Sequence, residues 1–138
     1  MDGAIHRAAG RALDEECRKL GGCDTGDAKI TTGGNLRAKC VIHTVGPIYR
    51  DGKHGEPGLL ASCHRRSLEV AVENGLKTVS FPAISCGVYG YPLLKAAQIA
   101  FAAARDEATE GHFERILFVL FTAETLWAYR EVAADMHL

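Results

Sequence analysis

The chain has 138 residues, of which 47% are apolar and 24% charged, the composition of an ordinary globular domain and neither a disordered nor a membrane-embedded one. Lys plus Arg number 16 and Asp plus Glu 17, a formal charge of −1, and no basic run marks a face for duplex nucleic acid. Five cysteines form no C-x-x-C pair, and neither a leader-like pattern nor an apolar run of membrane-spanning length occurs, so reduced thiols and a cytoplasmic location are expected.

In chain order, residues 3–20 have a helical pattern with a break near Gly10 and a stop at Gly21-Gly22. "AKITT" (28–32) and "KCVIHTV" (39–45) are rich in β-branched residues and predict strands, the second stopped by Gly46-Pro47. "YRDGKHGE" (49–56) is a polar surface loop. Residues 59–73 place Leu60, Cys63, Ser67, Leu68, Ala71 and Val72 on one helical face, with Asn74-Gly75 as the stop. "TVSFPAI" (78–84) and "RILFVLF" (115–121) are short apolar runs without clean alternation, as in strands covered on both faces. Residues 92–108 predict a helix with Pro92 in its first turn, and 123–135 a helix with Thr122 as N-cap and Glu124 in its first turn. Strands alternating with helices imply an α/β layered fold with a mostly parallel sheet, where ligands sit beyond the C-terminal strand ends.

Two segments carry candidate chemistry. "SCGVYGYP" (85–92) lies between a strand and a helix. Gly87 and Gly90 permit positive φ, so the freed N–H groups can form an anion-binding concavity helped by the helix dipole. Ser85 adds a hydroxyl, and Tyr89 a ring able to cover a sugar or base. The segment lacks the Lys of a P-loop and the G-x-G-x-x-G of a dinucleotide site; a plain strand-to-helix turn is the competing reading. At the amino-terminal end Asp2 either caps the first helix or, with His6 at i+4 on the same face, points into a pocket where a carboxylate activates water. His43, inside an apolar strand, reads as a hydrogen-bonded core residue. His54, His64, His112 and His137 lack partners at ligand spacing, and no metal site is expected.

Together, "DGAIHRAAG" (2–10), "TGDAKIT" (25–31), "VIHTVGP" (41–47) and "FPAISCGVYGYP" (81–92) resemble, in order and spacing, the macro domain family. Within it they are most similar to the branch that hydrolyses O-acetyl-ADP-ribose and removes mono-ADP-ribose from proteins. The resemblance implies a three-layer α/β/α fold with a mixed, mostly parallel sheet and an ADP-ribose cleft at the strand ends. It implies that Ser85, Cys86, Gly87, Val88 and Tyr89 wrap the diphosphate and flank the distal ribose. Asp2 would act as the catalytic acidic residue on a water near that ribose, supported by His6, with no metal or other cofactor. Cys86 stands where the branch usually has Thr. The family pattern also places two strands, an Asn-Ala-Ala-Asn segment and a glycine run before the position of Asp2. Residues 1–138 are therefore expected to form a single macro domain lacking the first strands, with a second chain as a candidate for completing the sheet. The expected partners are ADP-ribose or O-acetyl-ADP-ribose and ADP-ribosylated proteins, with neither nucleic acid nor membrane. The alternatives to a hydrolase are a non-catalytic ADP-ribose-binding module and an inactive fragment.

Overall fold

The computed structural model describes residues 1–138. Its elements run α1 (Asp2–Ala9), α2 (Arg11–Lys19), β1 (Ala28–Thr32), β2 (Cys40–Thr44), α3 (Glu56–Glu73), β3 (Thr78–Phe81), α4 (Leu93–Glu110), β4 (Arg115–Phe118) and α5 (Ala123–Asp135). No helix is long and apolar enough to cross a membrane.

The strands form two separate ladders, β1 with β2 antiparallel and β3 with β4 parallel. The first is a hairpin, in register from Ala28 opposite Thr44 to Thr32 opposite Cys40. Its connection is pinned by Gly33 N–H to Lys39 carbonyl (2.9 Å) and Leu36 N–H to Gly33 carbonyl (3.0 Å). Gly34 in that turn has φ +56, and a Cβ there would meet the Ala9 carbonyl oxygen at 2.5 Å, so both conformation and space require glycine. The neighbouring Asn35 N–H donates to that same carbonyl at 2.8 Å. The turn therefore grips the junction of α1 and α2, where Gly10 (φ 86) breaks the helical run, and this contact sets the direction of α1. The Glu16 carboxylate of α2 accepts from the N–H and hydroxyl of Thr32, tying α2 to the end of β1.

Helix α3 spans both ladders. Ser62 Oγ donates to the Gly26 carbonyl (2.7 Å) and Cys63 Sγ to the Val45 carbonyl (3.2 Å), while the His64 ring lies 5.2 Å from the ring of Phe81 on β3. Phe81 stacks on Phe118, which packs with Phe101 against Ala97, Ala100, Tyr129 and Val132 of α4 and α5. A second cluster, Leu60, Tyr91 and Ala96, joins α3 to the start of α4.

The second ladder departs from the expectation of cover on both faces. Val79, Phe81, Ile116 and Phe118 turn toward the helices, while Thr78, Ser80 and Leu117 are exposed. Val119 and Phe121 just beyond β4 are exposed as well, Phe121 at 89%. The strands are also shorter than the apolar runs: β3 ends before Pro82, which has no N–H for a ladder. The expected loop 49–56 is a loop only to Gly55, because Glu56 opens α3 with Pro57 in its first turn. Thr122 caps α5 as expected, its hydroxyl accepting from Thr125 N–H at 3.1 Å.

Candidate functional site

The loop after β3 is built to present donors. Tyr91 N–H returns to the Ser85 carbonyl (2.9 Å), Gly90 N–H to the Gly87 carbonyl (3.0 Å), and Tyr49 N–H holds the Tyr89 carbonyl from outside (2.9 Å). Buried Tyr91 anchors the far end, its ring 4.8 Å from that of Tyr49. The N–H groups of Ser85, Gly87, Val88 and Tyr89 donate to no other group of the chain. The following helix α4 has Pro92 at its N-cap with no side-chain cap and no acidic residue in its first turn, so the positive end of its dipole is left uncompensated.

The residue with positive φ before the loop tip is Ser85 (φ 65), with Gly90 (φ 69) after it; Gly87 stays out of that region. The conformational duty assigned to Gly87 therefore falls on Ser85, whose hydroxyl is buried without a partner. Gly87 has a different use, since a Cβ there would enter open space and the chain leaves the front of the loop clear. Val88 is fully exposed and Tyr89 sits at the surface. Burial pushes the Cys86 thiol up to about 11, so it is a protonated thiol and no nucleophile.

On α1, Asp2 does not act as the cap: Met1 holds that position and makes no side-chain cap bond. Asp2 and His6 share a helix face as their spacing requires, with Asp2 Oδ1 3.3 Å from His6 Nε2. The second partner of His6 escaped the sequence reading. Asp14 Oδ1 lies 2.6 Å from His6 Nδ1, reached across the Gly10 break from α2. That hydrogen bond to Asp14 is the first cause raising the His6 pKa above its ordinary value, and the charges of Asp2 and Asp14 add to it. A protonated His6 bridges the two carboxylates.

His43 lies on β2, inside the expected strand, but its neighbours were unforeseen. Its ring centroid is 6.0 Å from that of His6, Thr31 Oγ1 is 2.9 Å from its Nε2, and Cys17 Sγ is 3.6 Å from the same nitrogen. Burial lowers its pKa. The bond to Thr31 agrees with the core reading of His43, but the neighbours Cys17 and His6 arrive from two other elements. From His43 the chain runs three residues, roughly 10 Å if extended, to Gly46. A Cβ on Gly46 would meet Ser85 Oγ at 2.3 Å and Ile84 Cγ2 at 2.7 Å. Strand β2 thus connects the Asp2–His6 group at one place with the 85–89 loop at another.

His54 and His64 belong to other structures. His54 Nδ1 pairs with Asp51 (2.8 Å) in the loop that wraps buried Glu56. The Glu56 carboxylate accepts N–H groups from Arg50 (2.9 Å), Asp51 (3.2 Å), Gly52 (3.0 Å) and His54 (2.6 Å). These bonds, that from Arg50 first, hold its pKa down to about 2. His64 is buried with Nδ1 2.9 Å from the Leu60 carbonyl, and burial lowers its pKa.

The same arrangement of elements recurs in known proteins. The Oceanobacillus iheyensis macrodomain with ADP superposes with a TM-score of 0.92 at 38% identity, over 99% of this chain and 75% of that one. The Trypanosoma brucei macrodomain in complex with ADP-ribose gives 0.86 at 41% identity, over 94% and 55%. In sequence, the macro domain-containing protein CT2219 of Chlorobaculum tepidum is 52% identical over 97% of this chain and 78% of its own length. A Cronobacter sakazakii protein named O-acetyl-ADP-ribose deacetylase is 47% identical over 96% and 76%. The sequence pattern of the Macro domain family matches residues 1–100, a span that holds both the α1 group and the 85–89 loop; the chain belongs to the Macro domain family.

Proposed function

We propose that the chain binds ADP-ribose and hydrolyses its conjugates, O-acetyl-ADP-ribose or mono-ADP-ribose esterified to acidic side chains. The observation that carries the reading is the set of unpartnered N–H groups at Ser85, Gly87, Val88 and Tyr89 ahead of the α4 N-terminus. Such a concavity suits a diphosphate, which supplies several acceptor oxygens and negative charge. The Trypanosoma brucei relative in complex with ADP-ribose and the name of the Cronobacter sakazakii relative support the ligand and the reaction.

In the proposed chemistry a water attacks the ester carbonyl carbon and passes a proton to the Asp2 carboxylate. The bond from that carbon to the ribose oxygen breaks, the ribose oxygen takes up a proton, and the carboxylic acid leaves. His6, held by Asp14, positions Asp2 through its other ring nitrogen. General-base assistance of this kind contributes about 10²–10⁴-fold. The test is O-acetyl-ADP-ribose turnover beside ADP-ribose calorimetry in Asp2→Asn. A fall of that order in kcat with retained binding is expected; undiminished turnover would remove Asp2 from the reaction.

One observation favours a second reading. The Asp2 side chain is 88% exposed, and a carboxylate so open to solvent gains little from a low dielectric. A module that binds ADP-ribose without turning it over would give the calorimetric signal in the wild type and no product.

A further inference from the structure

The His6 ring meets two carboxylates, and the two contacts are unequal. Asp14 Oδ1 is 2.6 Å from Nδ1, whereas Asp2 Oδ1 is 3.3 Å from Nε2. A carboxylate only accepts, and a contact as short as that to Asp14 needs a hydrogen between the two atoms. Nδ1 therefore keeps its hydrogen in every state of the ring, and Nε2 has one only while the ring is cationic. In the neutral ring Nε2 turns a lone pair toward Asp2 Oδ1, and two acceptors face each other. Asp14 is also the fixed partner of the two. It stands in the first turn of α2, which Glu16 ties to Thr32 at the end of β1, whereas Asp2 opens α1 with its side chain 88% exposed.

We propose that Asp14 is a positioning residue for Asp2: by keeping a hydrogen on Nδ1 of His6, it reserves Nε2 for Asp2 and makes the hold on Asp2 depend on the second proton of the ring. The inference rests on the hydrolytic reading of Asp2 and adds a control that the Asp2–His6 pair alone would lack. Without Asp14, a neutral ring is free to carry its one hydrogen on Nε2 and go on holding Asp2. With Asp14, loss of the second proton releases Asp2. The other groups around the ring leave this balance to the two carboxylates. His43 of β2, its ring centroid 6.0 Å away, is kept neutral, by burial first and by His6 next. Cys17 of α2 keeps its thiol proton, again by burial first. Glu16 is turned to Thr32, and Thr31 of β1 meets His43. The bond to Asp14 is the first cause raising the His6 pKa, so Asp2 stays held past the ordinary histidine value of about 6.5 and is let go at higher pH.

The test reads the ring first, with no substrate present, by nitrogen NMR of the full chain labelled at its histidines. The His6 signals are identified by their loss in His6→Gln and followed from about pH 5.5 to about pH 9.5. The neutral wild-type ring should carry its hydrogen on Nδ1. In Asp14→Asn the midpoint should fall by about one pH unit, with the hydrogen of the neutral ring shared between both nitrogens. Turnover of O-acetyl-ADP-ribose is then measured over the same range, with the uncatalysed rate subtracted. Wild-type kcat should drop about 10²-fold as the ring loses its proton, the cost of a misplaced positioning group, and in Asp14→Asn that drop should shrink below about tenfold. A purely structural role for Asp14 would lower kcat alike at every pH. A neutral wild-type ring with its hydrogen on Nε2, a result that needs no variant to fold, overturns the proposal. So does a drop of full size in folded Asp14→Asn. The expected ring states in a chain without turnover support the hold of Asp14 on His6 and count against hydrolysis instead.

Discussion

Gly46→Ala tests whether the position of the 85–89 loop is what holds the ligand. Gly46 does not take positive φ, so alanine suits the backbone and the whole effect is steric. The new Cβ would sit 2.3 Å from Ser85 Oγ and 2.7 Å from Ile84 Cγ2, with Ser85 Cβ at 3.5 Å. Rotating the Ser85 hydroxyl away relieves the first contact and leaves the second, so the backbone of residues 84–85 must give by about 1 Å to restore ordinary packing. Ser85 is also the acceptor for Tyr91 N–H, so the shift is passed to both ends of the loop. Overpacking of this kind costs about 1–3 kcal/mol, within the total of about 5–15 kcal/mol typical of a domain. A displacement of about 1 Å in a positioning element costs on the order of 10²-fold in rate. The expected outcome is a folded protein, melting some degrees lower, whose turnover of O-acetyl-ADP-ribose drops by about two orders of magnitude. ADP-ribose calorimetry should weaken in parallel, since the displaced N–H groups are ground-state contacts. A folded Gly46→Ala chain with wild-type affinity would refute the assignment of the diphosphate to this loop.

Glu56 is held ionised down to about pH 2 by the N–H groups of the 50–54 loop. Its folded pKa lies below the unfolded value, so its contribution is present above pH ~4.5 and is lost as pH falls toward 2. Urea midpoints measured from pH 6 to pH 2 should show this loss, and Glu56→Gln should flatten it. His6 has the opposite sign. Its pKa is raised, first by Asp14, so the stability it adds is complete below pH ~6.5 and disappears as pH rises through the higher folded value. Midpoints at pH 6 and 8.5 in wild type and Asp14→Asn check this, with Asp2, Cys17 and His43 left in place as the other groups near the ring. Thr122→Ala removes the hydroxyl that accepts Thr125 N–H and should cost ~1 kcal/mol by thermal melting.

Local chemistry made much of the fold legible. "AKITT" forms β1 without an end shift, the Gly10 break divides α1 from α2, and Thr122 caps α5, because propensity, turn residues and caps act within a few residues. The start of α3 was missed although Pro57 in its first turn is a start signal; the polar residues around it draw attention to the loop they form. What the loop is for becomes visible only when Glu56 is seen to be buried under its N–H groups. Burial explains the other departures too. The runs around β3 and β4 are apolar whether one face is covered or two, so periodicity alone cannot say that Leu117 and Phe121 stay exposed. At the site, the i, i+4 relation of Asp2 and His6 is a property of one helix and was readable. The approach of Asp14, Cys17 and His43 depends on the Asn35 turn seating α1 against the hairpin, which no spacing encodes.

In the proposed reaction His6 holds Asp2 through Nε2–H and Asp14 through Nδ1–H, and a neutral ring carries only one of those two hydrogens. Losing a proton therefore gives up one of the two contacts, and the longer one, to Asp2 at 3.3 Å, is the weaker of the pair. The seating of α1 on the Gly34–Asn35 turn places His6 between Asp2, Asp14 and His43 before any ligand arrives.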